Sequence, residues 1–162
     1  VGIIKERKNS EYQIFWAAGQ KQYDIVKEEL EKDNLNIEKL ENAKIVPYIY
    51  NMTDYMNIAD LIVARSGAMT ITELALVEKP AIFIPLPSMS ANRQIDNARV
   101  MEKIGAAKII LDKELNGENL EKEINDIISD KEKQLEMGRK AKEIAISNVE
   151  QKIYEEITKI LH

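Results

Sequence analysis

The sequence predicts a doubly wound α/β domain, a parallel sheet with helices on both faces. Two observations carry this. Short apolar runs alternate with segments of helical periodicity. The apolar runs are continuous rather than alternating in polarity, as strands covered on both faces are. Strand–helix alternation implies parallel strands joined by right-handed crossovers, with ligands beyond the C-terminal strand ends.

Each element has its own signal. Tyr12 to Ala18 is β-prone and ends at Gly19. Tyr23 to Leu35 has apolar residues at helical spacing, with Lys and Glu on the other face. Lys44 to Ile49 is a short strand in which Pro47 limits ladder pairing. A short helix over Asn51 to Ala59 precedes an apolar strand, Asp60 to Ala64, and a helix from about Met69 to Val77. Pro80 to Leu86 is the next strand, followed by a helix from Asn92 to Ile104 that Gly105 stops. Ala106 to Leu111 is the last strand. Three helices follow, near Leu120 to Ile128, Lys131 to Ile146 and Val149 to Leu161. This helical region, from about residue 118 onward, is rich in Lys and Glu and reads as a solvated face. Phe15 and Trp16 read as core.

The first residues break the pattern. A doubly wound domain opens with a strand, a Gly-rich turn and a helix, whereas Val1-Gly2-Ile3-Ile4-Lys5-Glu6-Arg7 looks like the end of a helix. In the strand order 3-2-1-4-5-6 the opening strand is central. The expectation is one domain over residues 1–162 whose first strand and turn are missing, with unpaired backbone in mid-sheet.

Composition narrows the function. With 162 residues, 44% hydrophobic and 31% charged, the chain is an ordinary globular domain with room for a core. A net charge of −5 gives no basic excess for nucleic acid or a wide anionic membrane surface. There is no cysteine, which excludes disulfides and thiolate chemistry, and a reducing cytoplasm fits. The single histidine, His162, cannot supply a histidine-based triad or a multi-histidine metal site. No stretch approaches the roughly 20 apolar residues of a membrane span, and the early charges Lys5 to Lys8 do not fit a signal peptide.

Three segments at strand ends carry the chemistry. In Arg65-Ser66-Gly67-Ala68-Met69-Thr70-Ile71-Thr72-Glu73 a strand runs through a small-residue turn into a helix. The free amides of Ala68, Met69 and Thr70 would face a phosphate, and Glu73 could accept hydrogen bonds from ribose hydroxyls. Thr70-x-x-Glu73 also matches a capping box, which would only stabilise the helix start. In the second segment, Ile84 to Ala98, a Pro-rich loop precedes Arg93, Gln94 and Asn97, whose side chains suit sugar hydroxyls. Its plain alternative is a loop with Asn92 as N-cap. In the third, Val46 to Met52, exposed backbone could pair with a nucleobase, although Tyr48 and Tyr50 could equally be packing residues. Three polar loops on one sheet edge favour a nucleotide-sugar pocket over three unrelated caps.

The combination Ser-Gly-Ala-x-Thr-x-x-Glu with Asn-Arg-Gln-x-x-Asn-Ala resembles the C-terminal domain of the MurG family, peptidoglycan N-acetylglucosaminyltransferases. That family is similar to other GT-B glycosyltransferases, which place the active site between two Rossmann-like domains. The resemblance implies the C-terminal half of such an enzyme and a UDP-N-acetylglucosamine site. Glu73 would bond the ribose, while Ser66, Gly67, Ala68, Met69 and Thr70 would lie at the diphosphate. Ile49 would meet the uracil through its backbone, and Gln94 and Asn97 would contact the sugar with Arg93 beside them. It implies inverting transfer of the sugar to lipid I, giving lipid II, with no metal or other cofactor. The N-terminal domain, with the acceptor site, the base and the membrane-facing patch, is absent. No catalytic residue therefore falls here, and the chain alone is expected to be inactive. The resemblance also implies a cytoplasmic protein at the inner membrane face. Two alternatives are a donor-binding subunit of a split glycosyltransferase and a non-catalytic nucleotide-binding domain.

Overall fold

The computed structural model describes residues 2–6, 12–86, 91–145 and 149–161. Val1, Arg7, Lys8, Pro87 to Ser90, Ile146 and His162 lie outside them. The chain runs α1 (Gly2–Glu6), β1 (Ile14–Ala17), α2 (Gln20–Glu31), β2 (Ala43–Val46), α3 (Met52–Ile58), β3 (Ile62–Ala64) and α4 (Ala68–Val77). It continues through β4 (Ala81–Phe83), α5 (Ala91–Lys103), β5 (Ala107–Ile109), α6 (Gly117–Ile128), α7 (Lys131–Glu143) and α8 (Val149–Leu161). Short 3-10 turns at Ile37–Lys39 and Asp112–Glu114 were not expected from the sequence.

Among the described residues every strand pairing is parallel, and the strands form two sheets, β1-β2 and β3-β4-β5. Trp16 lies opposite Ile45 in the first, and Val63, Ile82 and Lys108 lie in one row in the second. Placed on the order 3-2-1-4-5-6, this is 3-2 beside 4-5-6. β1 and β3, which would flank position 1, each pair on one side only among the described residues.

Burial follows position. β4 is the middle strand of its sheet, and Ala81, Ile82 and Phe83 are all fully buried, as a strand covered on both faces requires. Phe83 and Leu74 join Met101 and Ala141 on one face, while Ile82 joins Ile124, Ile127 and Met137 on the other. A third cluster sets Val26 and Leu30 of α2 and Ile37 against Ile45, with Ile14 and Trp16 packed beside them.

β1 and β3 depart from the expected continuous burial, because their residues alternate between half-buried and exposed. Trp16 faces the third cluster as expected. Phe15 is corrected from core to surface: it is 44% exposed, with its ring 4.9 Å from that of Tyr55. The strand's two-residue period sends it to the face opposite Ile14 and Trp16.

Local signals set the helix ends. Asn116 and Asp130 accept from the backbone N–H groups of Asn119 and Lys133 and so cap α6 and α7. Gly105, at φ +75°, ends α5 as expected, with its own N–H donating to Glu102 and that of Ala106 to Met101. Neither tyrosine of the Val46 to Met52 segment packs into the core. Tyr48 and Tyr50 are 56% and 88% exposed and meet each other edge to face, with centroids 5.1 Å apart. The strand ends at Val46, so both stand on the loop beyond it.

Candidate functional site

The Ser66 turn forms where β3 meets α4. Gly67, in extended backbone, is the N-cap of α4, and the first turn closes through the Ile71 N–H to the Gly67 carbonyl at 3.1 Å. No side chain caps this helix. The capping-box alternative is therefore overturned: Thr70 already stands in the first turn and Glu73 in the second, too far along to reach the cap backbone. The backbone N–H groups of Ala68, Met69 and Thr70 have no hydrogen-bond partner among the described residues. Glu73 is exposed on the same helix.

The second segment is knitted to this turn. The Ser66 hydroxyl donates to the Gln94 backbone carbonyl at 2.7 Å, and the Asn97 side-chain amide donates to the Ser66 carbonyl at 3.1 Å. The Gln94 side-chain carbonyl accepts from the Leu86 N–H at 3.1 Å. Ser66 is fully buried, so its side chain holds α5 to the turn and cannot itself reach a ligand. Gln94 and Asn97 each use one end of the amide in this network, leaving Nε2 and Oδ1 without a protein partner among the described residues. Arg93 is exposed beside them. Asn92 lies within α5 rather than ahead of it, which corrects the alternative that made it the N-cap.

Ile49 stands on the loop after β2 with its side chain buried, flanked by the two exposed tyrosines. No hydrogen bond joins it to Ser66 or α5 among the described residues. The structure thus brings the Ser66 turn, Gln94 and Asn97 into one unit and leaves Ile49 outside that network.

Arg65 was missed as a functional candidate. It directly follows β3, and its guanidinium donates to the carbonyls of Ile84 and Pro85 and to Asp112. The available signal was an arginine closing an apolar strand directly before a Ser-Gly turn. Two surface grooves lie elsewhere. One, of about 490 Å³, runs beside β1 and β2 along Ile14, Ile37 and Leu40. The other, of about 650 Å³, is lined by Asp60, Val77, Lys131 and Arg139. Neither includes Ser66, Glu73 or Gln94. Free backbone amides and unpaired side-chain amides stand together at the strand-end unit instead, which makes it the stronger candidate.

Parallel strands, a helix start with open amides at a strand end and a second helix bonded to it define an α/β domain of the GT-B glycosyltransferase type. The chain belongs to the glycosyltransferase family 28 C-terminal domain, whose pattern matches residues 3–155. The UDP-N-acetylglucosamine--N-acetylmuramyl-(pentapeptide) pyrophosphoryl-undecaprenol N-acetylglucosamine transferase of Acetivibrio thermocellus is 38% identical over 160 residues. That match covers 98% of this chain and 42% of the relative. The enzyme of the same name from Desulforamulus reducens is 38% identical over 162 residues, with 99% and 44% covered. The chain spans less than half the length of these relatives. Among solved structures, Acinetobacter baumannii MurG superposes with a TM-score of 0.77 at 29% identity, over 97% of this chain and 44% of that one. The glycosyltransferase VinC, at 13% identity and a TM-score of 0.64 over 95% of this chain and 43% of its own, shares the fold.

Proposed function

We propose that residues 1–162 are the donor-binding domain of an inverting N-acetylglucosaminyltransferase that converts lipid I to lipid II. The observation that carries this reading is the uncapped start of α4, with Ala68, Met69 and Thr70 open, bonded through Ser66 to the helix bearing Gln94 and Asn97. The UDP diphosphate docks on the three amides, where the helix dipole favours negative charge. Glu73 accepts from the ribose hydroxyls, and the backbone at Ile49 meets the uracil. Gln94 and Asn97 hold the sugar through their remaining amide groups, with Arg93 at the rim.

In the transfer, the acceptor's C4 hydroxyl oxygen bonds to the sugar's anomeric carbon as the bond to the β-phosphate oxygen breaks, with inversion. The hydroxyl proton goes to a base outside these residues, and UDP leaves with the electron pair. The α4 amides stabilise the charge that develops on the diphosphate, which is their contribution to rate. The acceptor site and the membrane contact belong to a further domain at the inner face of the cell membrane. Among the described residues no helix is long and apolar enough to cross a membrane.

Titration calorimetry with UDP-N-acetylglucosamine, UDP-glucose and ADP tests the donor reading. Selective binding of the first is expected. Absence of binding to any uridine nucleotide overturns it.

A further inference from the structure

Arg65 sits at the centre of the strand ends. Its Nη1 donates to the Ile84 carbonyl at 2.9 Å and the Pro85 carbonyl at 3.3 Å, and it lies 3.2 Å from Asp112 Oδ1. These partners lie just past the ends of β4 and β5, so one side chain ties together the exits of three neighbouring strands.

The gripped segment continues to Leu86, whose N–H donates to the Gln94 side chain, and the Gln94 carbonyl accepts from Ser66. Ser66 is the next residue after Arg65, so the contacts close a ring: Arg65, residues 84–86, Gln94, Ser66. Ile84 and Pro85 are buried, and their carbonyls need a donor. The single nitrogen Nη1 meets all three acceptors, and the rigid, permanently charged guanidinium plane fixes where that nitrogen stands, whereas a lysine ammonium rides on a flexible stem.

We propose that Arg65 is a positioning residue of this site. It holds the 84–86 segment so that the Gln94 amide, and through Ser66 the Asn97 amide one turn along α5, stand in one place for the donor's sugar, without touching the nucleotide itself. The proposal rests on the donor-site reading above. The α4 amides and Glu73 lie outside the ring, on the other side of Ser66. Loosening the ring therefore displaces the sugar contacts more than the diphosphate and ribose contacts.

The test measures affinity for UDP and for UDP-N-acetylglucosamine by calorimetry on the 162-residue chain, its Arg65→Lys and Asp112→Asn variants, with thermal melts beside them. The ratio of the two affinities is the readout that a merely structural role would not move. Arg65→Lys is expected to lower UDP-N-acetylglucosamine affinity roughly ten- to a hundredfold, as small misplacements of positioning groups do, with a smaller loss for UDP. Asp112→Asn is expected to shift the ratio the same way by a smaller factor. Equal loss of both ligands, or a ratio that stays at the wild-type value, overturns the proposal. If Arg65→Lys does not fold, the Asp112→Asn ratio decides on the same terms. Failure of the wild-type chain to bind either ligand overturns the donor-site reading, and this inference with it.

Discussion

The buried hydroxyl of Ser66 reaches across 28 positions of sequence to the backbone carbonyl of Gln94 at 2.7 Å, fastening the turn before α4 to the first turns of α5. Ser66→Ala removes that donor. The expected cost is about 1 kcal/mol, or a fall in melting temperature of roughly 2–4 °C. Denaturant titration together with a thermal melt would check it. An unchanged midpoint would show that the hydroxyl adds nothing to the clasp.

Glu73 stands exposed in the second turn of α4 and caps nothing. Glu73→Ala is expected to weaken nucleotide binding by about 1.5–3 kcal/mol, the range for a hydrogen bond to a charged group. Its melting temperature should stay close to that of the parent. Calorimetry and a melt on the same preparation separate the two effects. A stability loss with intact affinity would return Glu73 to a structural role.

Gly138 on α7 lies against the chain just beyond α4, where a Cβ would come within 2.2 Å of the Glu78 carbonyl oxygen. Glu78 itself is in left-handed backbone at φ 55°, and its side chain pairs with Lys142. The carbonyl cannot move without unwinding the end of α4. Gly138→Ala is therefore expected to destabilise by roughly 1–3 kcal/mol through overpacking. A denaturation midpoint equal to the wild type would refute this close approach.

Lys133 of α7 donates to Asp126 of α6, and that hydrogen bond holds the Asp126 carboxyl below the ordinary carboxylate range. A lowered folded-state value means stability that is complete above the ordinary range. It is lost as acid takes the pH through that range toward the folded value. The aspartate is half exposed, so the effect is at most about 1 kcal/mol. Lys133→Met should flatten the acid limb of a stability–pH profile. An identical slope in the variant would remove Asp126 from the account.

The order of strands and helices was legible in the sequence because each depends on local periodicity, and Gly105 marked its helix end by backbone freedom alone. Helix starts were less so. Thr70 and Glu73 offered a capping pattern, but Gly67 in extended backbone begins α4 ahead of it. The site was legible as segments rather than as an assembly. The spacing of Ser66, Gln94 and Asn97 gives no hint that their hydrogen bonds close on one another. The role of Arg65 depends on partners 19 to 47 positions away, beyond the reach of any short motif. Phe15 and Tyr50 show that an aromatic residue near a strand is not thereby a core residue.

Among the described residues, β1 and β3 each pair on one side only, and their composition says what kind of strand each is. β1 reads Ile14-Phe15-Trp16-Ala17 and β3 reads Ile62-Val63-Ala64, with neither the lysines nor the prolines that blunt a natural sheet edge. Both are therefore composed as interior strands of a continuous sheet rather than as borders built to face water.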